Sequence, residues 1–128
     1  MIVIALVFAS LAALIHVYIF WLESFAWTTP RGLATFGMSA EQAAATKELA
    51  FNQGFYNLFL AVVSAAGVVT TAVGHEGPGA ALLIAGCGSM VAAGLVLLIS
   101  SPSKARAALV QLVAPALALL FLGIGALS

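Results

Sequence analysis

His16 and Glu23 lie inside one long apolar stretch, and a second such stretch opens with Glu48, Asn52, Gln53, Tyr56 and Asn57. Ionisable groups in hydrocarbon are costly unless they face one another or water, so an intramembrane cluster of this kind marks a functional site. A histidine and two carboxylates held among amide side chains can abstract a proton and return it. His16, Glu23 and Glu48 are therefore the candidate catalytic residues, with His16 or Glu48 as acid/base and Glu23 as electrostatic partner. Trp27, Asn52, Gln53, Tyr56, Asn57 and Gln111 are the candidate substrate-orienting groups.

These assignments need helices that turn the residues toward one another. At 100° per residue His16 and Glu23 differ in phase by about 20°, and Trp27 falls on the same line. That face continues through Ala5, Ala9 and Ala12, whose small side chains let a neighbouring helix approach closely. Glu48, Asn52 and Tyr56 form one row of the next helix, and Gln53, Asn57 and Ser64 form another about 100° further round. Phe51, Phe55, Leu58 and Val62 occupy the opposite side, so the two polar rows are expected to face different neighbours inside the protein.

Composition fixes the class. The chain has 128 residues, 64% of them hydrophobic and 6% charged, with a mean hydropathy of +1.21, against about 25% charged residues in soluble domains. An all-α polytopic membrane protein follows, a single bundle of four transmembrane helices over roughly 2–26, 40–73, 80–100 and 105–127, each of which reaches the ~20 residues needed to span. No period-two alternation signals a membrane barrel. The first segment resembles a signal peptide only superficially. No basic residue precedes it and it carries His16 and Glu23, so it is expected to be retained.

Thr28-Thr29-Pro30-Arg31-Gly32 is expected to end the first helix, because proline excludes the helical conformation from the residue before it. Ser39 and Gln42 have the spacing of a capping box, which starts the second helix near Ala40. The apolar Leu33, Phe36 and Met38 between these signals allow that loop to lie on the membrane surface over the polar cluster. Pro115 cannot donate to the Gln111 carbonyl, which leaves an acceptor free at the level of the polar residues.

All four basic residues, Arg31, Lys47, Lys104 and Arg106, fall in the first and third loops, and the loop around His75 has none. The positive-inside rule puts those two loops in the cytoplasm and both termini outside, in a multi-pass cell-membrane protein. Glu23, Glu48, Gln111 and, about 10 Å deeper, His16 then lie in the cytoplasmic half. Formal net charge is zero, and with no basic run nucleic acid is not expected as a partner. Cys87 is the only cysteine, so no intrachain disulfide forms, and it reads as a packing residue. One intramembrane histidine without a second spaced His or Cys is an incomplete ligand set, so no metal is expected, and no cofactor can be named.

Glu23 to Trp27 with a Thr-Pro loop behind it, Phe36-Gly37, and the run Asn52-Gln53-Gly54-Phe55-Tyr56-Asn57 followed by Leu60-Ala61 resemble the domain-of-unknown-function 1304 family of small bacterial and fungal membrane proteins. The resemblance spans essentially the whole chain. It implies a four-helix integral membrane protein, in a bacterium one of the inner membrane, and brings no activity, substrate or cofactor with it.

Three functions are compatible with these residues. The first is a membrane-embedded enzyme or binder of a small hydrophobic molecule, surrounded by membrane lipid, with a polar pocket in the cytoplasmic half and acid/base residues in its wall. The second is a small proton-coupled transporter acting as a dimer, although the acids lie near one face instead of the midplane. The third is a structural subunit of a membrane complex, which needs only the packing faces.

Overall fold

Five helices make up the chain, and the computed structural model describes residues 1–128. They are α1 (Ile2–Ser24), α2 (Pro30–Phe36), α3 (Ala40–Ala72), α4 (Glu76–Ser100) and α5 (Ala105–Leu127), with a 3-10 turn at Pro102–Lys104 before α5. No strand is present. The four long helices are each apolar enough to cross a membrane, and helices suit hydrocarbon because every backbone group finds its partner within the segment. They form a ring in chain order, with α1 and α4 each packed between α3 and α5 and the diagonal pairs hardly touching.

Interior and surface are inverted relative to a water-soluble bundle. Val3, Val7, Leu14, Val62, Ile84 and Val96 point outward, where lipid replaces water as the solvent. Ala5, Ala9, Ala12, Ala61, Ser64, Cys87 and Ala118 are buried, because small side chains let helices close on one another where no hydrophobic force separates protein from lipid. The contacts are tight. A Cβ added to Gly54 would meet Ser24 and the Phe20 carbonyl, and one added to Gly86 would meet Ser64. Ser24 Oγ uses the first approach to donate to the Phe51 carbonyl at 2.9 Å. Cys87 packs in the core, with its thiol 3.8 Å from Ser64 Oγ.

The connections follow from local chemistry. Ser39 and Gln42 exchange side chain-to-backbone bonds of 3.0 and 3.1 Å and start α3. Between α1 and α3, where Pro30 was read only as a break, the chain instead forms α2. Thr29 caps it, the Gly32 N–H donating to Thr29 Oγ1 at 3.4 Å, and Pro30 takes the first helical position, where its missing N–H is harmless. Gly37 ends α2 in the left-handed conformation at φ 62°. At the other end of the bundle the turn is tighter than the run from Gly74 to Gly79, since α4 already starts at Glu76 and Gly74 reverses the chain at φ 94°.

Helix lengths set the level of the polar residues. At 1.5 Å per residue the 33 residues of α3 extend about 50 Å, against about 35 Å for the 23 residues of α1. The first turns of α3 therefore project beyond the end of α1.

Candidate functional site

Glu23 sits in the last turn of α1 with 8% of its surface exposed, and Asn57 on α3 has 7%. Asn57 Nδ2 donates to Glu23 Oε1 and lies 3.3 Å from the Gln53 carbonyl oxygen, one turn back along its own helix. The two side chains meet because Gly54 lets α3 approach α1 at Ser24. A carboxylate accepts about four hydrogen bonds, so one from Asn57 leaves capacity for a guest.

Beside this pair lies a cavity of about 660 Å³, within the range of about 300–1,000 Å³ that holds small organic ligands. Its body is apolar, walled by Ile15, Ile19 and Leu22 of α1, Leu60 of α3, Leu97 of α4 and Val110 of α5. Its polar groups are Glu23, Trp27, Gln53, Asn57, Gln111, Tyr18, Thr35, Lys104 and Arg106. Phe36 of α2 also lines it and packs on Trp27 with ring centres 4.9 Å apart. Trp27 Nε1 donates to Thr46 Oγ1 at 3.1 Å. Tyr18 accepts from Arg31 Nη1 at 3.4 Å, which holds a third cation near the same wall.

Of the residues singled out in the sequence, Glu23, Trp27, Gln53, Asn57 and Gln111 therefore share one wall. His16 does not. It is buried, with Nδ1 2.8 Å from the Ala12 carbonyl oxygen, and lies about 10 Å deeper along α1 at seven residues of 1.5 Å each. Glu48, Asn52 and Tyr56 face outward: Tyr56 is 64% exposed, and Asn52 Nδ2 donates to the Glu48 carbonyl at 3.1 Å along its own helix. The expected pocket shared by both glutamates does not form. Ala43, Ala50, Asn57, Ser64 and Thr71, seven residues apart, are the buried seam of α3, and Glu48 is about 180° away from Asn57 on that helix.

Four polar cavity residues, Tyr18, Thr35, Lys104 and Arg106, were not named as site residues from the sequence. Lys104 and Arg106 were read only as topology signals, and Tyr18, on the flank of α1 away from the His16–Glu23 line, carried no polar-row signal. Gln111 faces the cavity, and Pro115, buried inside α5, supplies no N–H to the Gln111 carbonyl.

Comparison with known proteins adds one decisive observation: the family model described as Protein of unknown function (DUF1304) matches residues 10–123. The chain belongs to that family. No curated protein matches it, and no solved structure does. The match encloses every residue of the cavity wall, so the Glu23–Asn57 pair and the basic edge lie within the part of the chain that DUF1304 membership covers.

Proposed function

We propose that this protein is a membrane-embedded binder of a small hydrophobic molecule carrying a polar group, and that Glu23 gives the site acid/base capacity. The observation that carries this reading is a buried carboxyl, held by an amide, in the wall of a chamber whose body is apolar. Assembly alone does not require such a group, since an acid inside a membrane is expensive and the packing seams are already made of Ala, Gly and Ser. The guest's apolar body lies among Ile15, Leu22, Leu60 and Leu97, and its polar group reaches Glu23 and Asn57. Gln53 and Gln111 orient it. His16, outside the wall, acts only through the packing of α1. The excess of basic residues at this end supports a cytoplasmic mouth.

Photolabelling with a hydrophobic diazirine, adamantyl diazirine, tests the chamber. Adducts are expected on wall residues such as Leu22, Leu97 and Val110, and Ala107→Phe, which puts a ring into the cavity, should remove them while lipid-facing adducts remain. Undiminished labelling of the wall in Ala107→Phe would count decisively against a binding chamber.

A further inference from the structure

We propose that the guest is a single-tailed amphiphile with an anionic head, its tail in the chamber and its head against Lys104 and Arg106. The inference rests on the binding reading above and adds the class of ligand. Four observations converge on it.

The first is the charge at the edge. Two of the chain's four Lys and Arg residues line the cavity, and Arg31 is tied to the wall through Tyr18. Lysine and arginine there offer donors to a carboxylate or phosphate. Glu23 is the one acid in the wall, and it is already engaged by Asn57. Glu41, Glu48 and Glu76 are exposed elsewhere.

The second is level. Lys104 closes the 3-10 turn just ahead of α5, at the start of the fourth apolar span. A head bound there stays at the depth of lipid phosphates while its tail runs inward. The third is shape. On α1 the wall reaches from Ile15 to Glu23, about 12 Å at 1.5 Å per residue. The fourth is size, since about 660 Å³ is a drug-sized volume, enough for one chain. Beside an anionic head, the Glu23 carboxyl selects for a guest that also brings a donor, such as a hydroxyl on the head or backbone.

Binding is measured on the full chain in phosphatidylcholine nanodiscs, with empty discs as the baseline. The probes share a lauroyl-length tail: lysophosphatidylglycerol, monolauroylglycerol and dodecyltrimethylammonium. Lysophosphatidylglycerol should bind about tenfold more tightly than the neutral probe, a difference of about 1.4 kcal/mol. Lys104→Gln with Arg106→Gln should abolish most of that preference. Lys47→Gln should not, because Lys47 is exposed and outside the wall. An equal loss on Lys47→Gln would overturn the proposal, reducing the preference to the diffuse field of a basic surface. Equal affinity for all probes, or preference for the cation, would overturn the headgroup assignment and leave the chamber standing. Binding of no probe above empty discs would overturn both.

Discussion

Asn57 and Glu23, 34 residues apart in sequence, are joined side chain to side chain across the α1–α3 seam. The bond fixes the rotation of α3 relative to α1 at the level where the chamber begins, because both partners are buried and neither can turn without losing it. Ser24, next to Glu23, and Phe51, nearly two turns before Asn57 on α3, make a second tie. Asn57→Leu keeps the approximate volume and removes the amide, which leaves the Glu23 carboxyl without its donor. A loss of about 1–3 kcal/mol is expected, read as a lower unfolding midpoint in detergent. Asn57→Asp should be worse, since it sets a second carboxyl against the first.

Gly86 and Gly88 provide an internal control for close packing. A Cβ on Gly86 would lie 3.0 Å from the Ser64 backbone nitrogen, whereas one on Gly88 meets nothing within 4 Å. Gly86→Ala should therefore destabilise by about 1–3 kcal/mol through forced separation of α3 and α4. Gly88→Ala should be neutral or stabilising by up to about 1 kcal/mol, as alanine is the better helix former. Equal effects in a thermal unfolding series would contradict the helix rotations described.

The fold class was legible because hydrocarbon imposes so narrow a choice: long apolar segments must be helices, and the alanine line of α1 correctly turned Glu23 inward. Phase alone misplaced Glu48, Asn52 and Tyr56, because two polar rows on one helix do not say which faces protein. The deciding signal was the seven-residue repeat of Ala43, Ala50, Asn57, Ser64 and Thr71, all of them small or amide side chains that a close helix contact accepts. Glu48 and Asn52 instead lie in the part of α3 that projects toward the interface, where polar groups meet water and headgroups at little cost. The basic edge was hidden for a different reason. Lys104 lies in the 3-10 turn and Arg106 in the first turn of α5, and no helical period reports such a turn.

The loop charges predict a topology. A cysteine at Gly77, between α3 and α4, should react with an impermeant maleimide in intact cells, and one at Ser103 should react only after permeabilisation. Native Cys87 is fully buried, which keeps the background low. The opposite labelling pattern would place the chamber mouth on the outer face.

The part of the chamber wall made by α2 depends on a local cap. Thr29→Ala removes the hydroxyl that accepts from the Gly32 N–H and that donates to the Ala26 carbonyl at 2.6 Å. Loss of such a cap costs about 0.5–2 kcal/mol, so amide exchange in Leu33 to Phe36 should accelerate about threefold or more while exchange in α3 and α4 stays unchanged. Faster exchange throughout the bundle would show that α2 and the bundle open as one unit.

Glu23 and Glu48 are chemically identical and now occupy opposite environments, so neutralising each in turn separates the site from the surface. Glu48→Gln changes an exposed side chain and should alter stability by less than about 0.5 kcal/mol with no effect on ligand binding. Glu23→Gln preserves volume and an acceptor for Asn57 while removing the titrating group. If Glu23 is the acid/base of the chamber, the bundle should remain folded without loss of stability, because the uncharged side chain relieves the desolvation cost of an acid in the membrane. Any proton-dependent activity or ligand affinity should fall. A Glu23→Gln protein that melts early but binds the lysophosphatidylglycerol probe with unchanged affinity would assign the Glu23–Asn57 bond to assembly alone, and the acid/base reading would fail.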